Sequence, residues 1–167
     1  LRSLGLEVRK EIAHTGVVAI LRGGKPGPVI ALRADMDGLP VKERVDLPYA
    51  SKERGEYAGD SVDVMHACGH DVHTTCLLGA ARILNDLKSE WEGTVKLIFQ
   101  PGEEKLPGGA SLMIKEGVLE NPHPQSIFGQ HVHPAMEAGK VGFRNGMYMA
   151  SIDEIYITVK GKGGHAA

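Results

Sequence analysis

Short apolar runs alternate with a stretch of helical spacing along the chain. Residues 17–21, 29–34 and 94–99 are rich in β-branched or other apolar side chains and are bounded by turn residues, which is typical of buried strands. Residues 74–87 instead repeat apolar side chains every three or four positions, at Leu77, Ala80, Ala81, Leu84 and Leu87. Strands that alternate with helices predict an α/β fold with a mostly parallel sheet flanked by helices.

The remaining segments extend this prediction. Residues 1–10 indicate a helix end that runs through Gly5 into an edge strand, and the Gly- and Pro-rich residues 22–28 indicate a turn. Residues 42–64 are polar and irregular, which favours a surface loop. Further along we expect a short helix at 110–119, a strand at 126–132 and a hairpin-like pair of strands at 139–149. A last strand is expected at 152–159, with one exposed side, in a different layer or domain.

The composition is that of an ordinary globular chain, with 42% hydrophobic and 24% charged residues among 167. The net charge of −2 has both signs interspersed, which disfavours a nucleic-acid partner. No apolar run reaches the ~18 residues of a membrane helix, and no signal peptide is visible, so no membrane partner is expected. Two cysteines, Cys68 and Cys76, do not form a disulfide framework, which favours a reducing, cytoplasmic location. The chain opens without Met and closes abruptly, so we expect a piece of a longer protein.

The densest chemistry lies in residues 65–73, which hold one thiol, three imidazoles and a carboxylate. Cys68 and His70 are separated by one glycine, so they are close enough to serve one metal ion or two adjacent ones. The paired spacing of zinc fingers is absent, which favours a catalytic site over a structural one. Thiolate, imidazole and carboxylate together suit zinc, manganese, cobalt or nickel better than magnesium or calcium.

Carboxylates follow two of the predicted strands. Asp35 and Asp37 come at the end of a buried strand, where α/β sheets place their active sites, although a capped turn is the alternative. Glu103 and Glu104 follow another strand and a Pro-Gly turn. Neighbouring carboxylates on a bent loop point in different directions, so one can bind metal while the other acts as general base; a solvated surface pair is the alternative.

The other histidines and the second cysteine carry weaker signals. His131 and His133 are two apart in a predicted strand and hence on the same face, and we expect His131 to be the ligand. His66 and His73 are expected to support the site, and Cys76 to be a small core residue. We expect the carboxylate of Asp71 at the helix start, as the N-cap or in the first turn. By composition alone, His165 is a loop histidine.

Five motifs in order resemble one family. The chain is similar to the di-metal amidohydrolases, which contain aminoacylases, hippurate hydrolases and indole-acetyl-amino-acid hydrolases and are related to carboxypeptidase G-type peptidases. The resemblance is carried by residues 33–40 (RADMDGLP), 66–73 (HACGHDVH), 99–104 (FQPGEE), 128–131 (FGQH) and 161–165 (GKGGH). It implies a zinc-exopeptidase-like catalytic domain, truncated, over residues 1–149, and the first strand of a smaller α+β lid and dimerisation domain over 150–167.

The resemblance also implies residue roles. Two divalent metal ions (zinc, manganese, cobalt or nickel) would be bound, with Cys68 bridging them, by the ligand set Cys68, His70, Glu104 and His131. Glu103 would be the general base that activates the attacking water and later protonates the leaving amine. Asp37 would orient a ligand. His165 would polarise the scissile carbonyl, in the active site of a homodimer partner.

The implied reaction is metal-dependent hydrolysis of the amide bond of N-acyl amino acids. A dipeptidase or carboxypeptidase using the same site is the alternative, as is a non-catalytic metal-binding domain. One departure from the family is large, since a further metal-binding histidine expected near the C-terminus is absent. We therefore expect this piece alone to bind metal weakly and to lack substantial hydrolase activity.

Overall fold

The computed structural model describes residues 1–151, 153 and 155–165. The chain divides into two compact units, Leu1–His133 and Pro134–Ala167. The first unit contains all the regular elements of the described residues, beginning with a 3-10 helix at Arg2–Leu4. In chain order the others are β1 (Glu7–Ile12), β2 (Gly16–Arg22), β3 (Lys25–Asp35), β4 (Arg54–Tyr57), β5 (Asp60–Asp63), α1 (His70–Asp86), β6 (Glu92–Gln100), α2 (Gly109–Lys115) and β7 (Ser126–Gly129).

Five strands form the main sheet, in the order β1-β2-β6-β3-β7. Strand β3 pairs in parallel with β6 and β7, while β2 pairs antiparallel with β1 and β6. Four of the five strands therefore run in one direction and β2 runs against them. The predicted α/β fold with a mostly parallel sheet is confirmed, and the N-terminal segment also behaves as expected, since Gly5 ends the 3-10 helix in the left-handed conformation and β1 lies at the sheet edge.

A helix covers each face of the sheet, and the alternation along β6 shows how. Leu97 and its alternate neighbours in β6 pack in the same core cluster as Leu77 and Ala81 of α1. Ile98 faces the other way and packs in a second cluster with Met113 of α2. Because successive strand residues point to opposite faces, a nearly continuous apolar run is what a doubly covered strand needs.

Helix α1 begins at His70, four residues earlier than its apolar spacing predicts. Gly69 is the N-cap with φ 80°, and its carbonyl accepts the first bonds, from the backbone N–H groups of Val72 and His73. Asp71 lies in the first turn, where its charge complements the helix dipole. Cys76 is exposed rather than part of the core, because Leu77 and Ala81 take the sheet-facing side of the helix.

Two segments expected to be irregular contain strands. Strand β3 extends back to Lys25 through the predicted turn, because Lys25 pairs with Glu92 and a register shift before Val29 accommodates the prolines. The predicted surface loop 42–64 contains the β4–β5 hairpin, whose turn at Ala58 and Gly59 has positive φ at both positions. Polar hairpins of this kind carry little of the apolar alternation on which the prediction rested.

Strand β7 is shorter than predicted. It ends at Gly129, whose pairing with Arg33 is the last in that ladder, so His131 and His133 lie beyond the strand. The argument that these histidines share a strand face is therefore wrong. No helix among the described residues is long and apolar enough to cross a membrane.

The second unit holds no regular helix or strand in its described residues, 134–151, 153 and 155–165. The hairpin expected at 139–149 is not formed there. Of the strand expected at 152–159, Ile152 and Glu154 lie outside the described residues, and the others are not in a strand. Within this unit, Tyr148 Oη donates a hydrogen bond to the carbonyl of Gly142 at 3.3 Å.

Candidate metal centre

Three loops leave the sheet at the same edge. Strands β6, β3 and β7 are parallel neighbours, with Asp35 paired to Gln100 and Arg33 paired to Gly129. Their carboxyl ends therefore meet, and the segments that follow them carry Asp37, Glu103 and Glu104, and His131. This is the edge at which open α/β sheets bind ligands.

His70 lies at the centre of this edge and is 1% exposed. Its Nδ1 is 3.0 Å from the carbonyl oxygen of Asp37, to which it can donate. Its Nε2 has no hydrogen-bond partner, although it lies 3.8 Å from Glu104 Oε1, 4.0 Å from Glu103 Oε2 and 3.7 Å from Asp35 Oδ2. A buried imidazole nitrogen left unpaired among carboxylates is costly on its own and suits a cation.

A second group of ligand atoms adjoins the first. Cys68 Sγ lies 3.4 Å from His131 Nε2. The other ring nitrogen of His131, Nδ1, lies 2.7 Å from the carbonyl oxygen of Val132 and must carry the proton in order to donate to it. The Nε2 lone pair of His131 is therefore directed at the thiol, in the tautomer that metal-binding histidines use.

The acidic groups around Cys68 disfavour ionisation of its thiol. Burial, followed by the hydrogen bond with Glu104 and the charges of Glu104, Glu103 and Asp35, raises the pKa of Cys68 to about 11. The site thus opposes a bare thiolate. A divalent cation reverses this preference, because its charge favours deprotonation of a thiol that coordinates it.

Two ligand groups share His70. One is Cys68, His70 and His131, the other His70, Glu103 and Glu104, and the ligand atoms of each group lie within 4.8 Å of one another. All five of these side chains were singled out from the sequence. The mixture of sulfur, nitrogen and oxygen donors suits divalent transition metals and zinc.

A third group, Asp35, His70 and His73, is fully buried, and two of its members, Asp35 and His73, already have partners. His73 Nδ1 donates to Asp35 Oδ1 at 2.6 Å, and its Nε2 accepts the backbone N–H of Val132 at 2.9 Å. Both nitrogens of His73 are used, so it is a support and not a ligand. Arg33 pairs with the other oxygen of Asp35 at 2.8 Å.

Sequence reasoning singled out Asp35 and His73 separately but did not predict that they pair. Burial raises the pKa of Asp35, but the His73 hydrogen bond and the charges of Arg33, His70 and His73 outweigh it and lower the pKa overall. The unused signal for the pairing is that His73 lies three residues after His70, on the same side of α1.

Asp37 connects the loops. Its carbonyl oxygen lies within hydrogen-bond distance of Nδ1 of both His66 and His70, at 3.2 and 3.0 Å, and its Oδ2 accepts the backbone N–H of Glu104 at 3.0 Å. Asp37 thereby orients the His70 ring and holds the Glu104 backbone. His165 belongs to the second unit, and its part in the chemistry stays a prediction.

The chain belongs to the peptidase family M20/M25/M40, whose model matches residues 31–163. It is 47% identical over 152 residues to an N-acetylcysteine deacetylase of Bacillus subtilis, a match that covers 91% of this chain and 37% of that protein. It is 41% identical over 167 residues to an N-acyl-L-amino acid amidohydrolase of Geobacillus stearothermophilus, covering 100% of this chain and 42% of that protein.

A solved structure supports the same conclusion. The Bacillus subtilis YXEP protein, described as a dinuclear metal binding peptidase from the M20 family, matches with a TM-score of 0.70 and 42% identity. The match covers 81% of this chain and 35% of that chain. The resemblance to di-metal amidohydrolases is thus confirmed at the level of the family, and the chain spans about two fifths of the length of these relatives.

Proposed function

We propose that the intact protein hydrolyses the amide bond of N-acyl amino acids with a pair of divalent metal ions. The observation that carries this proposal is the cluster of Cys68, His70, Glu103, Glu104 and His131 at the carboxyl edge of the sheet, which contains two groups of ligand atoms within 4.8 Å of one another. Relatives that act as deacetylases and amidohydrolases of N-acyl amino acids support the substrate class.

In this proposal Cys68, His70, Glu104 and His131 would hold the metal ions. The unpaired Nε2 of His70 and the lone pair of His131 beside the thiol support that ligand set. When bound, divalent ions supply Lewis acidity that lowers the pKa of water and polarises a carbonyl. Zinc, manganese, cobalt and nickel all suit these donors.

Glu103 is proposed as the general base. Its side chain is 43% exposed, whereas that of Glu104 is 26% exposed and its backbone N–H is bonded to Asp37. The freer carboxylate can accept a proton from the attacking water on one oxygen and later return it to the leaving amine. Positioned acid–base groups of this kind contribute roughly 100- to 10,000-fold in rate.

The remaining assignments are also proposals. Residues 1–149 would belong to the catalytic domain and 150–167 to the start of a lid domain, through which the protein would form a homodimer. His165 would donate a hydrogen bond to the scissile carbonyl oxygen in the partner subunit. A cytoplasmic location is proposed because Cys68 and Cys76 are both free thiols.

The first test is a substrate screen. The intact protein is stripped with a chelator, reloaded separately with zinc, manganese, cobalt or nickel, and assayed on a panel of N-acetyl amino acids. We expect turnover that depends on added metal. Stoichiometric metal binding without hydrolysis of any N-acyl amino acid or dipeptide would point to a non-catalytic domain instead.

The base assignment is tested by the matched pair Glu103→Gln and Glu104→Gln. We expect Glu103→Gln to keep the native metal content and to lose about 100- to 10,000-fold in kcat. Glu104→Gln should lose metal as well, since it removes a ligand. Native kcat in the Glu103→Gln protein would show that another group takes the proton.

A second candidate is a dipeptidase or carboxypeptidase, favoured by the description of the YXEP protein as a peptidase. The chemistry at the metal would be the same, and only the acyl group on the carbonyl side of the scissile bond differs. Comparison of kcat/KM for N-acetyl-methionine and for alanyl-methionine decides between them, because an amidohydrolase should prefer the acetylated compound.

A further inference from the structure

His73 is completely buried in α1, with 0% of its surface exposed. Its Nδ1 lies 2.6 Å from Asp35 Oδ1. An ionised carboxylate can only accept, so Nδ1 carries the ring proton. The lone pair on Nε2 then accepts the backbone N–H of Val132 at 2.9 Å. Asp35 therefore fixes the tautomer of His73, in which Nε2 is the acceptor for the loop after β7.

Val132 is held at three points. Its N–H donates to His73, and its carbonyl accepts from Nδ1 of His131 at 2.7 Å. Its side chain packs on Gly69, where an added Cβ would overlap Val132 Cγ2. Gly69 has φ 80°, so it is required both for the backbone conformation and for the space.

Besides its bond to Val132, His131 contacts Cys68 through Nε2, and its ring meets that of His70 edge to face with centroids 6.4 Å apart. It lies beyond the last ladder pair of β7, so no strand pairing orients it. The rings of His73 and His131 meet edge to face with centroids 4.5 Å apart. The hydrogen bond from Nδ1 to the Val132 carbonyl is the contact that links the direction of His131 Nε2 to the backbone of Val132.

We propose that His73 is a positioning residue, which acts through the backbone of Val132 to hold His131 in the metal-binding tautomer and orientation. The chain of contacts runs from Asp35 through His73 and Val132 to His131. This inference rests on the proposed metal site and concerns one half of it, the group of Cys68, His70 and His131. In the other group, the Nδ1 of His70 and the backbone of Glu104 are bonded to Asp37, which is not part of this chain of contacts.

Two substitutions of His73 separate its two hydrogen bonds. In His73→Gln the amide oxygen can reach the position of Nε2 and still accept from Val132, while the bond to Asp35 is lost. In His73→Asn the amide nitrogen can reach the position of Nδ1 and still donate to Asp35, while the acceptor for Val132 is lost. The inference predicts that Asn weakens the metal site more than Gln.

The readout is cobalt binding to the stripped intact protein. Substitution of groups that orient metal ligands typically costs about 10–100-fold in affinity. We expect a loss of that size in His73→Asn for one of two Co²⁺ ions, with a weakened cysteine-to-cobalt absorption band, and affinity nearer to native in His73→Gln. Equal losses in both variants, or native binding in His73→Asn, would overturn the inference.

A measurement on the native protein covers the case in which both variants fail to fold. In the zinc-loaded protein, NMR should show His73 protonated at Nδ1, and a scalar coupling across the hydrogen bond between the Val132 amide nitrogen and His73 Nε2. Absence of that coupling contradicts the inference. If the coupling and the cobalt results hold but no N-acyl amino acid is hydrolysed, the proposed function fails and the positioning role stands.

Discussion

Two regions of the first unit bury a basic side chain, and they use its polar atoms differently. Lys96, in the middle of β6, is 2% exposed, and its Nζ donates to the carbonyls of Val118 and Glu120 at 2.8 and 2.7 Å. His70, at the sheet edge, is 1% exposed and leaves Nε2 without a partner. Burial is equal, but only one residue has an unused atom directed at acids. That unused atom, not burial, marks the candidate metal centre.

The charged groups around Lys96 and around His70 also differ. Burial, together with the charge of Arg9, lowers the pKa of Lys96, and Glu120 opposes this. A neutral amine still has two hydrogens for the two carbonyls, so Lys96 can fasten the segment after α2 to the sheet in either state. His70 instead has the carboxylates of Asp35, Glu103 and Glu104 within 4.0 Å of Nε2.

The largest expected effect is the loss of metal affinity when His70 is substituted. In His70→Asn the amide nitrogen can still donate to the Asp37 carbonyl, but the donor shared by both ligand groups is gone. We expect zinc affinity, measured by calorimetry, to fall by more than the roughly 10–100-fold that supporting residues cost. His14→Asn is the matched control, since His14 is exposed, has φ 74° and contacts neither group. Native zinc affinity in His70→Asn would remove His70 from the ligand set.

The second effect is a loss of folding stability when Lys96 is substituted. Lys96→Met keeps an unbranched chain in the core but leaves the carbonyls of Val118 and Glu120 without their donor. An unsatisfied buried group costs about 1–3 kcal/mol, so the free energy of unfolding in urea should fall by that order. Metal content should not change. A variant as stable as the native protein would show that removal of a buried amine offsets the lost bonds.

The smallest effect is a dependence on pH. Because the pKa of Lys96 is lowered in the fold from its ordinary 10.5, the unfolded chain binds more protons between the two values. Stability contributed by this group therefore rises as pH increases toward 10.5. The difference in unfolding free energy between the native protein and Lys96→Met should grow from pH 7 to pH 10. A difference that shrinks over this range would mean that the fold favours the charged amine.

The sequence predicted those parts of the molecule that depend on local pattern. The strands around Ala31 and Leu97 and the helix carrying Leu77 follow from apolar spacing, because burial of one face imposes that spacing. The strand boundary before His131 could not be predicted, because β7 ends where its pairing with β3 ends at Arg33. Lys96 lies on the same face of β6 as the buried Ile98, but a charged side chain is expected to face solvent. Its burial could not be predicted, because the carbonyl groups after α2 that accept from its Nζ are known only from the fold.

By itself, the sequence determined which donors the site contains and that they follow strand ends or begin a helix. Cys68, His70, Glu103, Glu104 and His131 were all identified in this way. Only the tertiary structure decided which of their lone pairs are free. The Nε2 of a histidine is available when Nδ1 donates to another group and no group donates to Nε2. His70 meets this condition through Asp37, 33 residues away, whereas His73 does not, because Val132, 59 residues away, donates to its Nε2. Asp35 and His73 are 38 residues apart, and Cys68 and His131 are 63 apart.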